Sequence, residues 1–161
     1  MIEIRKAEKT DHKAIWSIIK EVISTGETFV YDPNATEEEM IECWCGNGIN
    51  TYVAIFDEKI AGTFYIKNNQ PGLGSHVANA GFMVGSAFFG NGIGRKMGEF
   101  AICEAKRLGY SAIQYNFVVK ANEKAVKLWT SLGFKIIGEV PEAYNHKING
   151  YSSIYIMHRK L

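Results

Sequence analysis

The 161-residue chain has three cysteines, three prolines, no apolar run of membrane-spanning length and no excess of either charge. Each shortage excludes something. Cys43, Cys45 and Cys103 are an odd number, which suits a reducing compartment better than a disulfide framework. No Cys or His pair stands near the Cys43-x-Cys45 pair to complete the ~four ligands of a zinc site, so buried or inert thiols and no metal are expected. Lys plus Arg number 18 against 17 Asp plus Glu, a net charge of +1 that leaves no electrostatic footprint for nucleic acid or an anionic membrane. No stretch reaches the ~18 to 20 apolar residues of a transmembrane helix. Met1–Ala7 alternates charged and apolar residues where a signal peptide would carry its apolar core. The expectation is a cytoplasmic protein with no nucleic-acid or membrane partner.

What is present is the composition of a globular chain, 47% hydrophobic and 22% charged. Its length supports one core, so a single domain over residues 1–161 is expected. Residues 2–7 alternate as a strand, and Thr10 is expected to cap a helix in which Ile15, Ile18, Ile19 and Val22 follow helical spacing. After a polar, aromatic loop, Thr36 ahead of Glu37, Glu38 and Glu39 opens a second helix that ends near Gly46. Residues 51–57, 60–67 and 77–84 read as an antiparallel meander. A glycine-rich turn then enters a long amphipathic helix closed by Gly109. A strand over 111–119, a short helix from Asn122 to Gly133, and strands over 135–140 and 151–159 complete the chain. The order β-α-α-β-β-β-α-β-α-β-β predicts an α/β fold, a mixed central sheet of about seven strands with helices on both faces.

The most informative stretch is Phe89-Gly90-Asn91-Gly92-Ile93-Gly94-Arg95-Lys96, between a strand and a helix. Glycines let backbone amides converge, and a helix N-terminus adds unpaired N–H groups and the positive end of its dipole, which together cradle a phosphate or pyrophosphate. The spacing is not the dinucleotide fingerprint, because Arg95 and Met97 stand where a third glycine would fall, and no GK[ST] follows for a P-loop.

The sequence G-N-G-I-G-R-K-M, then a helix, a strand and N-E-K-A-V-K-L-W-T-S-L-G-F, resembles the GNAT N-acetyltransferase superfamily over nearly the whole chain. The resemblance implies an acyl-CoA-dependent N-acetyltransferase with acetyl-CoA as co-substrate. It implies that Phe89, Gly90, Asn91, Gly92, Ile93, Gly94, Arg95 and Lys96 hold the pyrophosphate, that Phe82, Met83 and Val84 follow the pantetheine arm, and that Asn116, Asn122 and Trp129 flank it. The chain also departs from the pattern. Phe89 replaces the usual Arg or Gln, leaving Arg95 or Lys96 to supply the side-chain phosphate contact. Trp129 stands where many members use a tyrosine as general acid, a role an indole N–H cannot take. A thiol of reference pKa ~8.5 leaves without strong protonation at neutral pH. The strand over 77–84 also lacks the glutamate base of some members.

Asn79, Asn116 and Asn122, with HVANAGFMV, QYNFVV and LWTSLGF, are similar to a narrower branch, the proline-analogue (azetidine-2-carboxylate) N-acetyltransferases of yeasts. In that branch asparagines position the amine and carboxylate of a small amino acid. Simple alternation puts Asn79 and Phe82 on opposite faces, so a bulge is expected between Gly81 and Val84, freeing backbone amides of which one near Met83 polarises the thioester carbonyl. By analogy Thr28, Phe29, Tyr31 and Asp32 wall the acceptor, with Asp32 meeting an ammonium.

Structural roles compete at these positions. Asn79 and Asn116 can satisfy strand-edge backbone groups, Asn122 can be a helix cap, and Phe29 and Tyr31 can be packing anchors. Glu37 to Glu39, His12 and His158 read as surface, and His76 can relay protons near the site. Asn145-His146-Lys147 can close over the acceptor or lie at a dimer contact. The expected activity is acetyl transfer by direct attack from the amine of a small metabolite, an amino or imino acid or an amine-bearing toxin, oriented by Asn79 and Asn116. An acyl-CoA-binding sensor and a protein or peptide acetyltransferase remain the alternatives, and a homodimer through the C-terminal strands is expected from the resemblance.

Overall fold

Alternating segments rich in β-branched and aromatic residues form seven strands: β1 (Glu3–Lys6), β2 (Asn50–Phe56), β3 (Lys59–Asn68), β4 (Val77–Val84), β5 (Ala112–Val119), β6 (Lys135–His146) and β7 (Gly150–Lys160). Segments with apolar residues at helical spacing form α1 (His12–Ser24), α2 (Glu37–Cys45), α3 (Ile93–Arg107) and α4 (Glu123–Ser131). The computed structural model describes residues 1–161, and the element order is the one the sequence predicts. The sheet runs β1-β2-β3-β4-β5-β7-β6 and is antiparallel except where β4 lies beside β5. No helix is long and apolar enough to cross a membrane.

Period-two alternation sends successive strand residues to opposite faces, and each face has its own core. On one, Ile15, Ile19 and Ile23 of α1 and Met40 and Trp44 of α2 pack on Val53, Tyr65 and Met83. On the other, Met97 and Ala101 of α3 and Trp129 of α4 pack on Tyr52, Phe64 and Tyr115. At Gly98 an added Cβ would stand 2.7 Å from Leu132 and 3.0 Å from the Trp129 ring, so its absence lets α4 lie close against α3.

Two local expectations need correction. Thr10 does not cap α1; it sits inside a 3-10 turn over Lys9–Asp11, and Asp11 is committed to Arg5, at 2.7 and 2.9 Å, and to the Glu8 N–H. Strand β6 does not stop at Val140 but continues to His146 through a register shift at Val140–Tyr144, with Glu142 at φ 51°. Pro141 is tolerated there because β6 is the last strand of the sheet and its outer side has no ladder to lose. Cys43 and Cys103 are exposed and Cys45 is half-buried, all as free thiols.

The bulge expected in β4 is also absent. Strands β3 and β4 pair without a shift from Gly62↔Val84 to Asn68↔Ala78. Gly81 serves close approach instead: a Cβ there would lie 2.7 Å from the Tyr65 ring. The irregularity falls on β5, between Tyr115 and Val118 opposite β7.

Strands β4 and β5 pair only at Val77↔Ala112 and Ala78↔Ile113 and then part. The Asn69 N–H donates to the Val77 carbonyl and the Gly85 N–H to the Ala61 carbonyl, at opposite ends of the β3–β4 ladder. With an unbroken register, these bonds turn the backbone groups of the odd-numbered β4 residues toward β3. The even ones, Ala80, Phe82 and Val84, present theirs to the opening, where no strand meets them.

Candidate active site

Where β4 and β5 part, a cavity of about 200 Å³ passes between them, lined by 17 residues of which none is charged. On the α1/α2 side its walls are Thr28–Tyr31, Tyr65, Asn79 and Gly81, and on the α3/α4 side Phe82, Tyr115, Ala125 and Trp129. Asn79 and Phe82 do face opposite sides of the sheet. They meet one cavity because the strands separate, with no change of parity in β4.

Asn79 spans the start of the opening. Its Nδ2 donates to the Gln114 carbonyl at 3.0 Å, and its Oδ1 accepts from the Tyr65 hydroxyl at 3.2 Å. Asn116 is exposed at the rim; its Oδ1 accepts from Gln114 Nε2 at 3.0 Å and its Nδ2 donates to Asn69 Oδ1 at 2.6 Å. Asn122 caps α4, its Oδ1 accepting from the Ala125 N–H at 3.4 Å. All three asparagines line the cavity, yet each bonds elsewhere and none bonds another. Burial pushes the Tyr65 and Tyr31 phenols above their ordinary range, so both stay protonated near neutral pH.

The 26–31 loop is held from a distant part of the chain. Phe29 stacks on Tyr31 at 5.9 Å and meets Trp44 at 6.1 Å. The Tyr144 hydroxyl donates to the Phe29 carbonyl and the Lys147 N–H to the Gly26 carbonyl, both at 3.0 Å. His146, buried, accepts from the Ile148 and Asn149 N–H groups at 3.1 Å, which shapes the β6–β7 turn. Thus Asn145-His146-Lys147 is tied to the loop that walls the cavity. Tyr65 and Tyr144 were not singled out in the sequence. The alternation that pairs Tyr65 with Asn79 on one face is a signal for the first, whereas nothing local marks the second. Asp32 is exposed, accepts from the Asn34 N–H at 2.8 Å to close its own turn, and does not line the cavity. His76 is likewise exposed and outside the lining.

The α3/α4 side is aromatic. The Trp129 ring lies 4.7 Å from Phe82 and 4.9 Å from Tyr115, which stacks on Phe134 at 4.3 Å. The Tyr115 hydroxyl has no hydrogen-bond partner, and burial pushes its pKa up. Above this cluster, Gly90 and Gly92 turn the chain with φ of 81° and 77°, left-handed values that glycine adopts without strain. Asn91 Nδ2 holds the turn by donating to the Phe88 carbonyl at 3.0 Å. The first α3 bond closed to the loop is Lys96 N–H to the Gly92 carbonyl, so the Ile93, Gly94 and Arg95 amides have no acceptor in the protein. Arg95 reaches Ser131 Oγ at 2.8 Å, Lys96 is exposed, and Phe89 projects into solvent.

One backbone assignment is revised by the ladder. Met83 is odd-numbered, so its N–H faces β3 and its side chain is buried against α1. Its neighbours Phe82 and Val84 carry the amides that face the opening. The arrangement joins free amides at a helix N-terminus, which bind a phosphate chain, to a free strand edge, which pairs with an extended amide-bearing chain.

The acetyltransferase (GNAT) family model matches residues 15–134. A GCN5-related N-acetyltransferase from Kribbella flavida is 44% identical with a TM-score of 0.94, covering 99% of this chain and 98% of that one. N-acetyltransferase aca1 of Schizosaccharomyces pombe is 37% identical over 98 residues, which is 60% of this chain and 47% of that protein. The chain spans less than half the length of the curated relatives it matches. A phosphinothricin acetyltransferase from Sinorhizobium meliloti, in complex with AcCoA, has a TM-score of 0.88 at 20% identity, over 99% of this chain and 88% of that one, a likeness of fold.

Proposed function

The chain belongs to the acetyltransferase (GNAT) family, and from that premise we propose that it is an acyl-CoA-dependent N-acetyltransferase that moves the acetyl group of acetyl-CoA to the amine of a small metabolite. The acceptor class is an amino or imino acid or an amine-bearing toxin, in keeping with the resemblance to the yeast proline-analogue branch. The single observation that carries this reading is the open edge of β4 at an uncharged cavity, with the free α3 amides a short loop beyond the end of that strand.

Acetyl-CoA supplies an activated acetyl thioester on a long amide-bearing arm that ends in a diphosphate. The residues suit such a molecule. The Ile93, Gly94 and Arg95 amides would hold the diphosphate, with the Arg95 and Lys96 side chains beside it. The open backbone groups of Ala80, Phe82 and Val84 would take the amides of the arm, and the N–H of Phe82 or Val84 would steady the oxygen as negative charge builds on it. Trp129 and Phe82 enclose the reacting end in apolar surface.

On the acceptor side Asn79 and Asn116 orient the amine, and Phe29 and Tyr31 confine it. The lining holds no carboxylate, imidazole, thiol or amine, so the reading is direct attack by a neutral amine. A C–N bond forms, the C–S bond breaks, the amine proton passes to water, and the sulfur leaves as thiolate. Positioning then carries most of the catalysis, which in ideal cases is worth ~7 to 11 kcal/mol. A cavity of about 200 Å³ is small beside the ~300 to 1,000 Å³ of drug-sized sites, which favours small acceptors. An uncharged lining offers a polycation nothing.

The same proposal treats residues 1–161 as one catalytic domain in the cytoplasm. It includes a homodimer through β6, whose outer edge is unpaired and whose Ile136, Ile137 and Val140 are exposed. The test is thiol release from acetyl-CoA across proline and its ring analogues, other amino acids, phosphinothricin, polyamines and short peptides. Release with amino or imino acids or phosphinothricin supports the reading. Release confined to peptides would make this a protein-modifying enzyme, and binding of acetyl-CoA with no release would make it a sensor.

A further inference from the structure

Lys67 occupies a position that the acetyl-transfer scheme leaves unused. It lies directly opposite Asn79 in the β3–β4 ladder, so Tyr65, Lys67 and Asn79 share the face on which the acceptor cavity opens. Its ammonium sits 5.0 Å from the centroid of the Tyr65 ring, the ring whose hydroxyl donates to Asn79. That contact places the charge but does not neutralise it. Lys67 is half-buried and takes part in none of the ion pairs of the protein. Strands β4 and β5 and the connection over residues 68–76 contain no acidic residue that could reach it.

Carboxamides stand across the ladder from Lys67, at Asn79, and two residues further along the chain, at Asn69. Gln114 Nε2 donates to Asn116 Oδ1, and Asn116 Nδ2 donates to Asn69 Oδ1. This chain runs in one direction and ends on the Asn69 side-chain Nδ2, which donates to no acceptor in the protein. A half-buried cation without a counter-ion, on the same strand face as an unengaged N–H donor and directly across the ladder from Asn79 of a cavity free of charge, is matched by a small anion carrying its own oxygen acceptors.

We propose that Lys67, with the Asn69 carboxamide that Asn116 holds in place, forms a carboxylate-binding subsite beside the acceptor cavity, so that the acceptor is an amino or imino acid held by its carboxylate while its amine enters the opening. The inference rests on the small-amine reading and narrows it. Tyr65 has a double part, since its ring seats the Lys67 ammonium and its hydroxyl fixes Asn79, which sets the spacing between the carboxylate end and the amine end of the acceptor.

The experiment compares proline with prolinamide, and glycine with glycinamide, as acceptors for the wild-type protein and for Lys67→Met and Lys67→Arg. The quantity read is the change, between variants, in the acid-to-amide ratio of kcat/KM, because the difference in amine basicity cancels. Loss of one charge-assisted contact predicts a fall of about 10- to 100-fold in that ratio for Lys67→Met, with Lys67→Arg restoring most of it and the acetyl-CoA KM unchanged. Equal loss on acid and amide, or an unchanged ratio, overturns the subsite while leaving the small-amine enzyme standing. A wild-type protein that releases thiol with polyamines or peptides but with no amino acid, or with no amine at all, overturns the small-amine reading and the subsite together.

Discussion

The Asn79 carboxamide donates to the Gln114 carbonyl at 3.0 Å, across the point where β4 and β5 cease to pair. A side chain replaces the backbone bond that a continuing ladder would make, so the strands are held at a set distance while the gap beyond them stays open. The Tyr65 hydroxyl fixes the other end of the same carboxamide. The cavity is therefore built into the sheet by one asparagine and its tyrosine.

Asn79→Ala removes that strut and the proposed contact to the amine. Expected is a loss of roughly 100-fold or more in kcat/KM for the acceptor, in line with the removal of a positioning group, while the dissociation constant of acetyl-CoA stays within about a factor of two because its cradle lies on α3. Steady-state kinetics and calorimetric titration of the cofactor separate the two. Unchanged turnover would remove Asn79 from the site.

Tyr144→Phe deletes the hydroxyl that holds the Phe29 carbonyl from across the molecule. One neutral hydrogen bond is worth about 1 kcal/mol. The variant should lose about that much stability in denaturant titration. Its acceptor KM should rise severalfold with no change in the acetyl-CoA KM, because the acceptor wall is loosened and the cradle is not touched.

Gly92→Val places a β-branched residue at φ 77° where the chain enters α3. The left-handed conformation costs a non-glycine residue about 1 to 2 kcal/mol, and relief of that strain would turn the Ile93 and Gly94 amides away from their common target. Acetyl-CoA should then raise the melting temperature less than it does in the wild type, by an amount equivalent to a roughly tenfold weaker dissociation constant. Equal shifts in the two proteins would remove the cradle from cofactor binding.

Acid should weaken the fold through Asp11. Its hydrogen bonds to the Arg5 guanidinium hold the carboxyl below its ordinary value near 3.8, and the Glu8 N–H adds to this. A carboxylate favoured in the folded state contributes stability that is full above the unfolded-chain pKa and disappears as pH falls through the lower folded-state pKa. Asp11→Asn should cost about 1.5 to 3 kcal/mol at pH 7, and the gap between variant and wild type should close below pH ~4. Denaturant titrations across that range provide the check.

Much of this was legible from residue types with strong local preferences. Val77–Val84 came out as a strand with the bounds expected, Thr36 caps α2 in a box with Glu39, and Gly109 stops α3 at φ 91°. The turn ahead of α3, with its free amides, followed from three glycines and a helix start. Other features depend on pairing between strands, which no single segment encodes. Gly81 suggested a bulge in β4, but it is glycine because the Tyr65 ring lies over it, and the actual shift in β5 is marked by no glycine at all. The strand expected over 135–140 runs on through Pro141, which a central strand excludes and β6 at the edge does not. The expected free amide near Met83 belongs to its neighbours, because the ladder register gives the open edge to Phe82 and Val84. The tie from Tyr144 to Phe29 spans 115 residues and has no periodic signature.

We propose direct transfer of acetyl from thioester to amine within the opening between β4 and β5, with no covalent stop on the protein. The most direct measurement mixes enzyme at high concentration with acetyl-CoA, first alone and then with an accepted amino acid, and follows thiol release and protein mass on the millisecond-to-second scale. Expected are no stoichiometric burst and no acetylated protein without acceptor, then thiol and N-acetylated product appearing one for one when the amine is added. A burst equal to the enzyme concentration in the absence of acceptor, with one acetyl group on the protein, would contradict it.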